Sequence, residues 1–491
     1  MPSLNSSSLH RYTGLLLSLA ELSQLMRPRW VLKPEEVAII DANAEALGVD
    51  MDQLMISAAE ELLNALKGSP RPIWILCGPG NNGGDGFRLA EMIDDCVVIA
   101  SHAQQKTELS QRARDECSKT ILSIEEIPEE EPKAIVDCLL GAGAIGQPRG
   151  EILRLMEAIP GRPQVLACDI PTGCSSGLAF NAFRTVTFIA PKSTMVDNDG
   201  RLLPEVGDLF IANLEIPDQA LDPGPGDMLR YPVLIDDAVK GDRGRVLVIG
   251  GGPYHGAPIL AGMAAQRMGV DLVHVAMPKQ ASMRVKWPAG LIPETINDEE
   301  IFTDAATIIE RCQSGRGVQA LVIGCGLGKD EATLAAVRLV IESCSDIAMV
   351  IDADAIAALN GWPKGVKGVV TPHQKELENW VDDISAIPEL VEGHGEDRVV
   401  IVTGPEDMII ASGGRGGVVS GGNPRMAMGG TGDILAGTIA GLLALGVSPW
   451  GSARLGSWLL RQAGDLAGEE IGPGLVAEDV PPFLSRVLKY R

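Results

Sequence analysis

The amino-acid sequence predicts a doubly wound α/β domain followed by a second α/β domain. The chain has 491 residues, of which 45% are hydrophobic, and that is enough for two buried cores. Short apolar runs alternate with longer stretches in which apolar residues recur at three- and four-residue spacing, the patterns of strands and helices. The apolar runs are continuous, as in parallel strands that are covered on both faces.

The first half begins with predicted helices and continues with predicted strands, most of them separated by helical stretches. The helices are expected at 37–47 and 51–66, and the strands at 73–77, 96–100, 134–140, 165–170, 186–190 and 209–212. The second half repeats this alternation. Its strands are expected at 245–249, 272–276, 321–324, 348–352, 369–371 and 399–402, with a strand pair in 408–420 and helices at 256–268, 330–343, 431–446 and 449–468.

The domain boundaries follow from a change of composition. Proline and glycine are dense between 218 and 232, and the apolar periodicity stops there. The sequence therefore predicts an accessory extension at 1–29, a first domain at 30–220, a linker at 221–235 and a second domain at 236–491.

Charge and composition argue against several classes of protein. The chain has 65 acidic and 41 basic residues, a formal charge of −24, so its overall field should repel nucleic acid and anionic membranes. Aromatic residues make up only 4%, which argues against stacking platforms for bases. The nine cysteines have no zinc-binding spacing, and they predict reduced thiols in a cytoplasmic protein.

The first motif is the glycine-rich segment Gly78-Pro-Gly-Asn-Asn-Gly-Gly-Asp-Gly86, directly after a predicted buried strand. Such a loop allows close approach to the backbone and directs free amides toward an anion. The segment is neither a dinucleotide fingerprint nor a Walker loop. Asn81, Asn82 and Asp85 add polar side chains, which favours a ligand site over a structural turn.

Polar groups also end other predicted strands. Asp137 lies in an apolar run, where an unpaired carboxylate is costly; it either caps a nearby segment or faces a ligand such as a cation. Asp169 lies at the end of the next run, and Thr172 follows it. Because ligands bind at the carboxyl ends of strands in open α/β sheets, Asp137, Thr172 and Asn82 are expected to converge, and three oxygen ligands suit a hard cation. Lys192, at a later strand end, supplies a positive group or a proton.

In the second half, Met428-Gly-Gly-Thr-Gly-Asp-Ile434 opens a long predicted helix. The backbone amides around Gly430 and the helix N-terminus form a hole for an anion. Asp433 beside it is placed to deprotonate a hydroxyl while phosphate charge is stabilised. The alternative is an aspartate that merely starts a helix. Polar segments near other predicted strands favour the site: 240–244, 351–355 and 371–377.

Two histidines are candidates for the same site. A lone histidine is more often a surface or packed residue, but His373 lies between a predicted strand end and a helix start, which favours a ligand role. His255 is the weaker candidate, and there the backbone at Gly256 and Ala257 is favoured.

In order and spacing, these motifs resemble those of the bifunctional NAD(P)H-hydrate repair enzymes, over about residues 31–490. The first half resembles the epimerase domain of that family, which implies a Rossmann-like sheet. The second half resembles the dehydratase domain, which implies a ribokinase-like fold. The segments that carry the resemblance are 78–86, 136–141, 168–173 and 188–192 in the first half, and 240–246, 254–258, 324–328, 351–355, 371–373 and 422–433 in the second.

The resemblance implies that the first domain interconverts the R and S hydrates of NADH and NADPH, which form by hydration at ring carbon six. It implies that the second domain dehydrates the S hydrate with ADP or ATP, by phosphorylating the hydroxyl and eliminating phosphate. ADP is the expected nucleotide, with Mg²⁺, and K⁺ is expected in the epimerase site. The partners implied are these small molecules and further copies of the chain in a homo-oligomer, with no nucleic acid and no membrane.

The resemblance also implies roles for individual residues. Asp433 is the implied base on the hydroxyl, and Asp169 and Lys192 are the implied catalytic groups of the first domain. Implied contacts with the hydrate in the epimerase are Asn81, Asn82, Gly83, Gly84, Asp85, Ala142, Gly143, Ala144, Ile145, Gly146, Gln147, Pro148 and Asp169. In the dehydratase, the implied contacts with the hydrate are Ala257, Gly326, His373 and Asp433. The implied nucleotide site consists of Thr403, Gly430, Thr431 and Gly432. The implied potassium site of the epimerase consists of Asn82, Asp137 and Thr172.

The sequence departs from the family pattern at three places. Thr403 stands where members usually have a lysine that helps to hold nucleotide phosphate, which puts the nucleotide in question. Lys375 replaces a glycine, and residues 56–59 differ from the usual helix segment of the epimerase.

Two alternatives remain open from the sequence. A ribokinase-like small-molecule kinase with a non-catalytic N-terminal binding domain would also phosphorylate a hydroxyl, although the fused first domain argues against it. The other alternative is an interaction scaffold without catalysis, against which the intact Asp169 and Asn82 argue.

Overall fold

The computed structural model describes residues 31–489, apart from 145, 213, 315–316 and 382–383. The chain divides after Ala220 into two compact units, each with its own sheet. The accessory extension predicted at 1–29 lies outside the described residues. Within the described part of the chain, no helix is long and apolar enough to cross a membrane.

The first unit is built on a seven-stranded parallel sheet with the strand order β3-β2-β1-β4-β5-β6-β7. This order reverses between β1 and β4, which confirms the predicted doubly wound, Rossmann-like sheet. The strands are β1 Ile73–Cys77, β2 Val97–Ala100, β3 Ile121–Leu122, β4 Ala134–Cys138, β5 Gln164–Cys168, β6 Arg184–Phe188 and β7 Asp208–Ala212.

Strand β1 shows why the apolar runs are continuous. Ile73 and Ile75 are buried in one core beneath one face of the sheet, whereas Trp74 and Leu76 are buried in a second core on the other face. Helices cover both cores, so neither face of the strand meets water. These helices are α1 Pro34–Ala46, α2 Met51–Ala65, α3 Asn81–Glu91, α4 Glu108–Asp115 and α5 Glu151–Ala158.

The second unit is built on a nine-stranded sheet with the order β10-β9-β8-β11-β12-β13-β14-β15-β16. Strands β8 to β14 pair in parallel, and the last two form the predicted antiparallel strand pair. The strands are β8 Arg245–Ile249, β9 Leu272–Met277, β10 Leu291–Thr295, β11 Ala320–Ile323, β12 Ala348–Ile351, β13 Gly368–Val370, β14 Arg398–Val402, β15 Asp407–Ala411 and β16 Gly416–Val419.

The helices of the second unit cover both faces of its sheet. One helix, Thr431–Ala444, contacts three central strands and is buried along all its length after the first turn. It packs so closely on the helix Ala257–Arg267 that a Cβ on Gly437 would lie 1.9 Å from the carbonyl oxygen of Ala261. The helices are α6 Ala257–Arg267, α7 Lys279–Arg284, α8 Ala305–Gln313, α9 Glu331–Ser343, α10 Gln374–Trp380, α11 Ile387–Val391, α12 Thr431–Ala444, α13 Pro449–Ile471 and α14 Pro481–Leu488.

The segment predicted as a linker is in part firmly packed. Residues Pro225–Arg230 form a 3₁₀ helix, and Asp227 within it is fully buried. Its carboxylate accepts hydrogen bonds from Arg454 (2.7 and 3.0 Å) and from Arg230 (2.8 Å). Burial favours the neutral form, but the charges of Arg454 and Arg230 hold the pKa of Asp227 below its ordinary value. The buried ion pair makes this segment part of the second unit rather than a free connection.

Candidate active sites

In each unit, the polar motifs gather where the strand order reverses. In the first unit this point lies between β1 and β4, which are followed by the segments 78–86 and 139–144. In the second unit it lies between β8 and β11, which are followed by 250–257 and 324–328. Ligands of open α/β sheets bind in the crevice at this point, so each unit carries one candidate site.

The glycine-rich segment of the first unit opens helix α3. Gly80 is the N-cap and has no side chain with which to cap the helix, so the amides of Asn81 and Asn82 are left to a ligand. Gly83 packs directly on the start of the segment. A Cβ at this position would lie 1.9 Å from the carbonyl oxygen of Gly78, so only glycine fits there. Asn81, beside these amides, accepts a hydrogen bond from Thr107 (2.5 Å).

A cavity of about 450 Å³ lies in front of this helix start, a size typical of small-molecule sites. Many of the predicted epimerase residues line it: Asn81, Asn82, Asp85, Ala142, Gly143, Ala144, Asp169 and Lys192.

The remaining predicted epimerase residues are placed elsewhere. Gly83 and Gly84 are buried in the first turn of α3 and do not line the cavity. Gly146, Gln147 and Pro148 also lie outside its lining, because the loop turns toward Ser176, whose carbonyl oxygen accepts a hydrogen bond from Gln147 (3.0 Å). Ile145 lies outside the described residues.

Asp169 and Lys192 form a buried ion pair at the cavity wall. The Lys192 ammonium donates to Asp169 Oδ1, to Thr187 Oγ1 (2.8 Å) and to the carbonyl oxygen of Phe188 (2.7 Å). Asp169 Oδ2 accepts a hydrogen bond from the backbone amide of Ala142 (3.2 Å). Asp169 also has a left-handed backbone, with a φ of 62°. Such a conformation is uncommon outside glycine and is typical of functional positions.

Two more carboxyl groups face the same cavity. Asp85 is buried, and burial first and then the charge of Asp169 raise its pKa well above its ordinary value. The thiol of Cys168 lies 3.7 Å from its Oδ2. Asp41 of α1 is half-buried, and the same two causes raise its pKa to about 6. Sequence analysis missed Asp41, because one aspartate in an amphipathic helix looks like an ordinary surface residue.

The three residues implied for potassium are only partly brought together. Asp137 is fully buried and accepts hydrogen bonds from the Thr172 amide and hydroxyl, both at 2.7 Å. Burial raises the pKa of Asp137 to about 6, against the effect of these hydrogen bonds. The Asn82 amide group donates instead to the Cys168 carbonyl oxygen (3.1 Å), and no described hydrogen bond joins Asn82 to Asp137 or Thr172. The oxygen donors suit a hard cation, but two of them already satisfy each other.

In the second unit, the helix N-terminus and two strand ends meet around Asp433. Gly430 caps α12 with a left-handed φ of 102°, and Asp433 is the third residue of the helix. Ligand atoms of Asp433, Asp352 and Cys325 all lie within 4.8 Å of one another. Asp352 follows β12 and accepts a hydrogen bond from the Thr371 hydroxyl (2.7 Å). Asp352 and Cys325 complete this cluster. The sequence analysis pointed to the segments 351–355 and 324–328 that contain them but named neither residue as a site residue.

Burial and mutual repulsion shift the titration of this carboxyl pair. Burial raises the pKa of Asp433 to about 6. A hydrogen bond with Cys325 lowers this pKa, and repulsion by Asp354 raises it. Burial and the charge of Asp433 raise the pKa of Asp352 to about 7. Because the two groups interact, these values describe the pair. A carboxylate with a pKa near neutrality, beside free helix amides, is suited to take a proton from an alcohol.

The other predicted residues of the second unit lie at neighbouring strand ends. Ala257 is the first residue of α6. Gly326 has a φ of 68°, and a Cβ there would lie 2.2 Å from the Tyr254 carbonyl oxygen. His373 caps α10: its Nδ1 accepts a hydrogen bond from the Glu376 amide (3.2 Å). The imidazole therefore has a structural task in addition to any ligand role.

Thr403 lies beside His373, with which it forms an isolated parallel β-bridge. The loop that follows it is held by Arg461, whose guanidinium donates to the carbonyl oxygens of Gly404 (2.8 Å) and Pro405 (2.6 Å) and to Asp407 (2.6 Å). This arginine therefore shapes the loop, and its donors are occupied by protein acceptors.

Comparison with known proteins agrees with the division into two units. Residues 51–194 match a family described as YjeF-related protein N-terminus, and residues 246–484 match one described as NAD(P)H-hydrate dehydratase. A bifunctional NAD(P)H-hydrate repair enzyme of Methanothermobacter thermautotrophicus is 30% identical over 97% of both chains. Enzymes of the same name from Hyperthermus butylicus (33%, 91% of this chain and 90% of that one) and Coxiella burnetii (32%, 92% and 98%) are also similar.

Solved structures match single units at lower identity. An ADP/ATP-dependent NAD(P)H-hydrate dehydratase from Bacillus subtilis, co-crystallised with ATP/Mg²⁺, covers 54% of this chain and 96% of its own, with 24% identity and a TM-score of 0.46. A yeast protein covers 38% of this chain and 90% of its own, with 21% identity and a TM-score of 0.31.

Fold and sites together define a two-domain α/β enzyme with a separate polar site in each domain. Its relatives match it over nearly its whole length. The chain belongs to the family of bifunctional NAD(P)H-hydrate repair enzymes.

Proposed function

We propose that this chain repairs hydrated NADH and NADPH, with epimerisation of the R and S hydrates in the first unit and nucleotide-dependent dehydration of the S hydrate in the second. The observation that carries the proposal is that both units keep an ionisable, partly buried site at the point where their strand order reverses. Carboxyl groups with raised pKa values beside a ligand crevice are more typical of a catalytic site than of an interaction scaffold.

In the first unit, the hydrate binds in the cavity beside the start of α3. Asn81 and Asn82 and the free helix amides hold its polar groups, and the ion pair of Asp169 and Lys192 faces the reacting ring. Asp137, Thr172 and Asn82 supply oxygen ligands for K⁺. That cation would stabilise the loop after β4, on which Ala142 lies.

In the second unit, Asp433 takes the proton from the C6 hydroxyl as the nucleotide's terminal phosphoryl group arrives. The amides of Gly430, Thr431 and Gly432 stabilise the negative charge on the phosphoryl oxygens. The phosphate then leaves with the C–O electrons, and loss of a proton from C5 restores the ring double bond. Mg²⁺, when bound, would neutralise part of the phosphate charge. Ala257, Gly326 and His373 line the hydrate site.

We propose ADP as the preferred nucleotide and Thr403 as a neutral neighbour of its phosphates, in place of the lysine that members of this family usually carry. The proposed partners are small molecules and further copies of the chain, in the cytoplasm. Nucleic acid and membranes are not expected partners of a chain with a formal charge of −24.

The test is recovery of reduced nicotinamide absorbance from a mixture of R and S hydrates. The protein with Mg²⁺, K⁺ and ADP should convert both epimers completely, whereas omission of nucleotide should abolish recovery. Parallel reactions with ADP and ATP compare the nucleotides by kcat/KM. Phosphorylation of the hydrate without recovery of absorbance would indicate a kinase and contradict the proposal.

A further inference from the structure

We propose that Asp41 is a second proton-transfer group of the epimerase cavity, working together with Asp169. This inference rests on the proposed function of the first unit. It extends that function by assigning a reacting group on α1, an element that none of the sequence motifs includes.

The position of Asp41 differs from that of other polar residues on its helix. Asp41 lines the cavity together with Asp169 and Lys192. No described residue donates a hydrogen bond to its carboxyl group. By contrast, the side chain of Asn43 donates to the carbonyl oxygen of Ala220 (3.1 Å). A half-buried carboxyl group without a protein partner, directed at a ligand-sized cavity, is available to a ligand.

The charges around Asp41 give it and Asp169 different tendencies to hold a proton. Lys192 is bonded to Asp169, so the positive charge of this wall is already paired. Among the described residues, no cation bonds to Asp41 directly. Burial and the charge of Asp169 raise its pKa to about 6, against the weaker lowering effect of Lys192. Near neutral pH, Asp41 can both hold and release a proton, which is what repeated acid and base steps require. Asp85, on α3, adds a third carboxyl group to the same wall.

Epimerisation at C6 needs one proton delivered and one removed. Asp41 gives its proton to the C6 hydroxyl, the C–O bond breaks with its electrons on the departing water, and the ring nitrogen's lone pair forms the C=N bond. Water then adds to C6 on the opposite face, the C=N electrons return to nitrogen, and Asp169 accepts the proton from that water. In the reverse direction the two carboxyl groups exchange roles, so nothing is consumed.

The experiment compares Asp41→Asn, Asp41→Glu and the control Glu45→Gln in the full-length protein. Glu45 is an exposed residue on the same helix and does not line the cavity. Epimerisation of purified R hydrate is followed by chiral separation, and dehydration of the S hydrate is measured on the same samples. Because the second unit does not contain Asp41, its rate reports the amount of intact enzyme.

Asp41→Asn should lower the kcat of epimerisation by about a hundredfold or more, the usual scale for general acid–base catalysis, with KM changed by less than about threefold. Asp41→Glu should recover part of this loss, and Glu45→Gln should match the wild type. Dehydration of the S hydrate should be equal in all variants.

Three results would overturn the inference. Asp41→Asn could epimerise at the wild-type rate, or it could change KM alone, which would indicate a binding contact. Thermal unfolding could show that Asp41→Asn does not fold, which would mean that the carboxyl group has a structural partner. A wild-type protein that dehydrates the S hydrate but never epimerises would instead contradict the proposed function of the first unit.

Discussion

Replacing Asp433 with asparagine should separate activity from stability. The variant keeps the size of the side chain but removes its negative charge and basicity. If Asp433 is the base, turnover in dehydration should fall by about a hundredfold or more, while nucleotide and hydrate still bind. The N-cap of α12 is Gly430, and the Asp433 carboxylate accepts a hydrogen bond from its own backbone amide. The side-chain oxygen of asparagine can accept the same hydrogen bond, so little helix stabilisation is lost.

The pH dependence of the wild-type enzyme follows from the same group. The carboxylate is the active form, and its pKa is about 6. Because Asp433 and Asp352 titrate as a pair, with values of about 6 and about 7, turnover should be constant well above pH 7 and fall by about tenfold for each pH unit below pH 6. In Asp433→Asn this acid limb should vanish, leaving a low rate with little dependence on pH.

The free energy of unfolding should change with pH in the opposite direction to turnover. A carboxyl group whose pKa rises from 3.8 to about 6 on folding binds its proton more tightly in the folded state, so it lowers stability as pH rises through that window. Above pH 6 the cost is about 3 kcal/mol. Asp433→Asn removes this cost, so its melting temperature at pH 7 should equal or exceed that of the wild type. Below pH 3.8 the difference should disappear.

The assay is S-hydrate dehydration by absorbance, with thermal unfolding of the same samples and nucleotide binding by calorimetry. Asp330→Asn is the matched control, because Asp330 caps α9 by accepting the Ala332 amide (2.9 Å) and lies outside the cluster around Asp433. Asparagine caps about as well as aspartate, so this control should keep activity and stability. A folded Asp433→Asn enzyme with near-normal turnover would refute the assignment of the base.

Three further predictions concern the separate activity of the second unit, the role of K⁺ and the buried ion pair of Asp227. A fragment comprising residues 221–491 should dehydrate the S hydrate and leave the R hydrate to slow spontaneous epimerisation; rapid conversion of both epimers by this fragment would contradict the assignment. Asp137→Ala should slow epimerisation and leave dehydration intact. Replacing K⁺ with choline should slow epimerisation by the wild type in the same way. An epimerisation rate independent of K⁺ would contradict the proposed cation site. Asp227→Ala leaves Arg454 buried without its carboxylate, so it should cost about 3–5 kcal/mol in the unfolding of the second unit, and an unchanged melting temperature would show that the ion pair contributes little.

The sequence predicts strands well where both faces of the sheet are covered. Every residue of β1 is buried, so its apolar run is uninterrupted and its bounds were predicted correctly. Strand β10 was missed, because Pro293 and Glu294 interrupt its apolar pattern at the edge of the sheet. An edge strand has one free side, which tolerates proline and charge.

Site residues were predictable where they lie in a glycine-rich motif or at the end of an apolar run. Asp433 and Asn82 stand within such motifs, whereas Asp41 stands on a helix with no motif. Only the fold brings Asp41 to the same cavity as Asp169. The opposite case is His373, where the sequence suggested a ligand and the structure also shows a helix cap.

The close approach of α6 and α12 has a consequence for which substitutions this enzyme can tolerate. Ala261 and Gly437, which meet there, each lie four residues after the site residue of the same helix, Ala257 and Asp433. Residues four apart lie on the same face of a helix, one turn away. The distance between the starts of α6 and α12 is thus set by Gly437, which has no side chain. Gly437 lies one helical turn from Asp433, yet selection on catalysis should conserve it as strictly as Asp433 itself.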